Sequence, residues 1–220
     1  MSQSQSTSGN VRGRPPLSEE KMADMRKHIT KCAFRLFREH GYTAVSMRRL
    51  ASEAGCTVMT LYRYFDRKID ILRQLWSEVF VELFNRLEKV AATENDPVKR
   101  LHSVALGYVN YWLDQREHYF LVFMSSDVSQ SDVSIFVEDD GAVDRFNLFR
   151  IGIADALDAD MNEPDISVKT QLLLCTLNGI AHNLITISAY PWAGPDVLVR
   201  AAVSSVLGSD VQCDWEGMER

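Results

Sequence analysis

The 220-residue chain has only four cysteines, Cys32, Cys56, Cys175 and Cys213, and no two form a Cys-x-x-Cys pair. That dispersion fits reduced, mostly buried thiols better than a disulfide framework or a zinc site, with redox sensing through Cys56 as the alternative. No apolar run reaches the ~18 residues needed to span a bilayer. The polar N-terminus carries no hydrophobic stretch of the secretory kind, so no membrane partner is expected and the expected location is cytoplasmic. The chain also lacks a Gly-rich phosphate loop, a His-Glu-x-x-His pattern and a nucleophile elbow. His28, His40, His102, His118 and His182 are scattered, and Asp139 and Asp140 read as solvated loop charges. No catalytic residue, metal or cofactor is expected. An all-helical enzyme acting on an apolar small molecule is the rival reading, and no motif supports it.

What is present is a core-forming composition, 46% hydrophobic, with a net charge of −6 that is unevenly spread. Residues 1–70 hold 13 Lys/Arg against 7 Asp/Glu, whereas residues 71–220 hold 11 against 23. A polyanion would therefore be met by the N-terminal end and repelled by the acidic remainder, which orients its approach.

The basic end has a helix-turn-helix pattern. Met47, Leu50, Ala51 and Ala54 recur at helical spacing behind Ser46, a capping residue, and Gly55 suits the left-handed turn that ends a helix. Thr57 can cap a second helix in which Leu61 and Phe65 face inward, leaving Met59, Thr60, Tyr62 and Arg63 turned outward. Ahead of this pair, Met22, Met25, Ile29, Cys32, Ala33, Leu36 and Phe37 predict a supporting helix from about Ser18 to His40, closing at Gly41.

The string from Ala51 to Gly55, then Thr-Leu-Tyr-Arg-Tyr-Phe at 60–65 and Lys68, resembles the signature of the TetR family of prokaryotic transcriptional regulators over residues 20–72. The resemblance implies that Ser46 caps the second helix at a phosphate and that Arg48 is a base contact. It also implies that Thr57, Val58 and Met59 open the reading helix, the last two toward base edges. Thr60, Tyr62, Tyr64 and Lys68 would form a phosphate clamp that fixes register without reading sequence. Cys56, Met59 and Tyr64 depart from the family's usual residues and leave the operator sequence open. Val58 either packs on thymine methyl groups with Met59 or packs beneath its own helix, and Arg48 can reach guanine O6 and N7. The implied architecture is all-α: a three-helix DNA-binding domain at 18–66, and a helical ligand-binding and dimerisation domain at 67–208.

Residues 1–17 are expected to be a disordered arm, and 209–220 a tail. Within the arm, Arg12-Gly13-Arg14-Pro15 resembles an AT-hook core, two arginines able to lie in a narrow minor groove; the alternative is a solvated linker. A long helix from about Arg67 is too broadly apolar for one stripe, so it touches both domains or lines a cavity. Later helices are predicted to about Gln115, at Glu117–Ser125, Gly141–Leu157, Asp165–Ala189 and Pro195–Leu207, with a loop over 125–140 and no strands.

Aromatic residues gather in this half. Phe80, Tyr108, Trp112, Phe123, Phe146 and Phe149, with the polar Asn178 and His182, form either plain core or a mostly apolar small-molecule site. The last two helices are expected to pair two copies, with Gly179 allowing close approach and Ile180, Leu184, Ile187, Val199, Ala202, Val203 and Val206 as apolar surface. The resulting expectation is a homodimeric repressor that binds a palindromic double-stranded operator and is released by a small hydrophobic effector. A DNA-binding module without an effector is the remaining alternative.

Overall fold

Polar caps set the first helix boundaries in the computed structural model, which describes residues 18–125, 128 and 142–208. Helix α1 (Glu19–His40) begins where the Ser18 hydroxyl accepts from Lys21 N–H, with Glu19 and Glu20 favourably placed at its positive end. Helices α2 (Met47–Glu53) and α3 (Val58–Tyr62) are short. Between them Gly55 adopts φ +64°, which a side chain would strain. Leu50, Leu61 and Phe65 are buried against α1, each contributing about 1.5–3 kcal/mol by leaving water.

Helix α4 (Lys68–Ala91) starts where the Asp70 carboxylate accepts from Arg67 N–H at 2.9 Å. It buries Ile71, Leu72, Leu75, Trp76, Val79, Phe80, Leu83, Phe84 and Leu87 and packs on both α1 and the body, the double role its wide apolar face predicts. The body is built around α5 (Pro97–Asp114), which packs on α4, α8 (Asn147–Leu157), α9 (Pro164–Thr186) and α10 (Pro195–Leu207). Short α6 (Arg116–Phe123) and α7 (Ala142–Arg145) complete it. No strand occurs among the described residues, and no helix in them is long and apolar enough to cross a membrane.

Two boundaries differ from the sequence expectation. The helix expected over Gly141–Leu157 breaks at Phe146, whose ring sits edge-on to Phe80 and Phe84 at 6.0 and 4.8 Å. The helix expected to reach Ala189 stops at Thr186, where the Trp192 indole donates to the Ile187 carbonyl at 3.0 Å. Most of the expected 125–140 loop, the arm with Arg12 and Arg14, and the 209–220 tail with Cys213 lie outside the described residues.

His102 joins α5 to α10. Its side chain is 1% exposed, with Nε2 3.3 Å from Asp196 Oδ1, and Asp196 also accepts from Arg200. Burial holds its pKa below the ordinary imidazole value, against the pull of Asp196 and with a further push from Arg200. The unfolded imidazole takes its proton near pH 6.5 and the folded one only at lower pH. Its contribution is therefore complete above about pH 6.5 and is lost as pH falls through the depressed value. Urea midpoints at pH 7.5 and 5.5 should differ more for the parent than for His102→Gln.

Candidate nucleic-acid interface

The reading surface follows from the caps. Ser46 Oγ accepts from Arg49 N–H at 3.2 Å and Thr57 Oγ1 from Thr60 N–H at 3.1 Å, so each short helix begins at a satisfied polar residue worth about 1 kcal/mol. With Leu61 turned inward, α3 presents Met59, 76% exposed, and Tyr62, 46% exposed, while Arg63 and, on α2, Arg48 are also exposed. Thr60 is half-buried, and its hydroxyl pairs with that of Thr57 at 2.9 Å. Val58 is half-buried against the core, so packing takes part of its surface.

The end of the reading segment is held by contacts that spacing alone did not predict. Arg26 of α1 donates to the Tyr64 carbonyl at 3.2 and 2.7 Å and lies 4.4 Å over the Phe65 ring. Tyr64 is half-buried against the core. Lys68 donates to the Tyr42 carbonyl at 2.8 Å, its ammonium 4.0 Å over the Tyr42 ring, and so ties α4 to the turn before α2. Arg26 and Tyr64 are 38 residues apart, and no local pattern pairs them. Arg49 bonds to His40 Nε2 at 2.6 Å, which leaves Arg48 the more available of the two adjacent arginines.

Residues 29–75 match the family model described as bacterial regulatory proteins, tetR family. Over these residues the chain is similar to the TetR family. It is 31% identical over 86 residues to the transcriptional repressor KstR of Mycolicibacterium smegmatis, covering 39% of this chain and 42% of that one. It is 26% identical over 124 residues to the transcriptional regulator HbdR of Aromatoleum sp., covering 56% and 54%. The chain thus spans about half the length, or less, of these curated relatives. Over most of its length the chain shares a fold with the fatty acid degradation regulator FadR of Bacillus halodurans. That match has a TM-score of 0.67, 18% identity, and coverage of 84% of this chain and 95% of that one.

In the helical body, the expected aromatic residues come together as edge-packed rings. Tyr108, Trp112 and Phe149 are buried, Phe80 nearly so, Phe146 half-buried and Phe123 41% exposed. Trp112 stands 6.2 Å from Phe80, 5.9 Å from Tyr108 and 5.1 Å from Phe123. From α9, Asn178 Oδ1 accepts from the Tyr108 hydroxyl and His182 Nδ1 pairs with the Tyr119 hydroxyl, both at 2.7 Å. An open cleft of about 240 Å³ lies elsewhere, between α1 and α6, lined by Phe37, Tyr42, Phe120 and Met124 among others. Cys56 is half-buried, and burial raises its thiol pKa, which lowers its thiolate fraction and weakens the redox-sensor alternative. No group of three or more potential metal ligands occurs among the described residues.

Most of the residues expected to pair two copies are not outward surface in this chain. Val199, Ala202, Val203 and Val206 are buried within the chain because α10 turns that face to α5, and Ile180 and Leu184 pack partly on the core. The outward stripe runs from Val168, Leu172 and Cys175 past Gly179 to Ile187, which is exposed as expected, with Val197 on α10. A Cβ at Gly179 would meet nothing within 4 Å in the single chain.

Proposed function

We propose that the protein is a homodimeric transcriptional repressor that holds a palindromic DNA operator and releases it when a small hydrophobic molecule enters its helical body. The observation that carries this reading is the exposed Arg48, Met59, Tyr62 and Arg63 surface on a TetR-type reading unit at the basic end of an otherwise acidic chain. The names of the related repressor KstR and regulator FadR support it. Arg48 and Met59 read base edges, while Ser46, Thr57, Thr60, Tyr62, Tyr64 and Lys68 fix register on phosphates. Two copies paired through the outer stripe of α9 double the contacts and impose a two-fold site.

Helix α6 is the element through which effector and DNA communicate. Its Tyr119 and Phe123 pack in the aromatic cluster, while both oxygens of its Glu117 accept from Nη1 of Arg38 of α1, at 3.1 and 3.0 Å. His118 of α6 meets Phe34 of α1 edge-on at 5.4 Å, and the α6 backbone accepts from Trp76 of α4 at Leu121. A molecule that displaces the α6 aromatics therefore pulls on both helices that carry the reading unit. It releases DNA only to the extent that it binds the DNA-free arrangement more tightly.

The test is selection of duplexes from a random pool, followed by titration at several salt concentrations with and without effector. Enrichment of a palindrome and a steep salt dependence are expected. Indifference to all duplexes at low salt overturns the reading. Glu117→Gln, which breaks an exposed ion pair, should leave effector-free DNA affinity nearly unchanged and reduce effector-driven release by about two- to five-fold.

A further inference from the structure

Trp112 is 0% exposed, and its indole N–H meets no hydrogen-bond acceptor among the described residues. Interiors rarely leave a donor in this condition, because its lost hydration goes uncompensated. Burial raises the Tyr108 hydroxyl pKa, with a smaller opposing pull from the nearby indole N–H, whose approach to that oxygen falls short of hydrogen-bond geometry. The neighbouring polar groups are engaged: the Tyr108 hydroxyl donates to Asn178 Oδ1, and Tyr119 pairs with His182. Of the rings packed on the indole, Phe123 of α6, at 5.1 Å, is the most exposed among those described, at 41%.

We infer that Trp112 Nε1 is the recognition donor for the effector, an apolar ring-sized molecule that carries one neutral hydrogen-bond acceptor of the carbonyl class. This rests on the reading that the helical body takes a small molecule. The acceptor is required by the unmet N–H. Its neutrality follows from the lining: Phe80, Tyr108, Tyr119, Phe123, Asn178 and His182 include no lysine or arginine, so a carboxylate would be buried without a fixed counter-charge. The apolar remainder of the ligand takes the place of the Phe123 ring, and α6 moves with it. A molecule lacking the acceptor gains only the apolar contact and leaves the donor unmet.

The experiment uses a matched pair, 2-acetylnaphthalene and 2-ethylnaphthalene, titrated into the full chain labelled with ¹⁵N at the indoles. The Trp112 resonance is identified by its loss in Trp112→Phe. The ketone should shift that resonance and the hydrocarbon should not, with the ketone binding about ten-fold more tightly. Trp112→Phe should bind both within about two-fold of each other, whereas a purely structural tryptophan would weaken both alike. Equal affinity in the parent, a ketone preference that survives in Trp112→Phe, or binding of neither probe overturns the inference. So does an indole resonance unmoved by the ketone, which marks a resident water instead. If Trp112→Phe fails to fold, the resonance is the indole peak nearest the Tyr119 and Phe123 rings by nuclear Overhauser contacts, and its shift decides alone. DNA binding by the probe-free parent is measured in parallel, so loss of the repressor reading and loss of this inference remain separate results.

Discussion

A protein carrying Arg48→Ala and Tyr62→Phe together should bind its selected palindrome about 10³-fold more weakly than the parent, with helix content and dimerisation unchanged. The magnitude follows from two reading units per dimer. A side chain hydrogen-bonded to a base contributes about 1–3 kcal/mol of discrimination, and a neutral hydroxyl to a phosphate somewhat less, each counted twice. Structural damage is a poor alternative explanation, since Arg48 and Tyr62 are exposed. The single variants separate the roles. Arg48→Ala should relax preference at one symmetric pair of base positions. Tyr62→Phe should lower affinity evenly across sequences and leave the preference intact, because a phosphate contact carries no base information. Binding isotherms on the palindrome and on point-mutated duplexes check both. Unchanged affinity in the double variant would remove α2 and α3 as the contact surface.

How much of this surface was legible depended on distance along the chain. Ser18, Ser46 and Thr57 announce helix starts because a capping hydroxyl acts on a backbone N–H three residues away. Pro97, Pro164 and Pro195 mark starts because the first helical position needs no donor. The inward turn of Leu61 and Phe65, and with it the outward turn of Met59 and Tyr62, is fixed by helical spacing alone. The contacts that make the unit rigid were not legible. Arg26 reaches Tyr64 and Lys68 reaches Tyr42 across 38 and 26 residues. Their partners are backbone carbonyls, which every residue has and no sequence pattern distinguishes.

The body shows the same limit in a different form. Periodicity found the apolar face of α10 but not what it meets, and that face meets α5 rather than a second copy. It gathered Phe80, Tyr108, Trp112 and Phe149, yet a core and a ligand site draw on the same residue types. An unmet donor such as that of Trp112 would separate the two, and no residue pattern announces one. Likewise, nothing in Gly141–Leu157 announces a break at Phe146, where the ring meets Phe84, some 60 residues earlier.

The second large effect is expected at Leu172. It is 53% exposed on the outer face of α9, flanked by Val168 at 62% and by exposed Cys175. A single exposed leucine needs no explanation, but an apolar stripe at helical spacing beside a glycine with open space over its Cα matches a helix face made for another helix. In the proposed dimer, Leu172 near the two-fold axis is buried in both copies at once. Leu172→Arg therefore removes about 1.5–3 kcal/mol of burial per copy and brings two like charges together without counter-ions. The dimer dissociation constant should rise by 10³-fold or more, on the order of 4 kcal/mol. The thermal stability of the separated chain should change little, because Leu172 leaves its core untouched. DNA affinity should fall with the dimer, since each half-site alone offers half of the contacts. Sedimentation equilibrium and DNA titration over the same protein concentrations should show the two losses together. A Leu172→Arg protein that remains dimeric would move the two-fold contact off α9, and with it the spacing of the reading units.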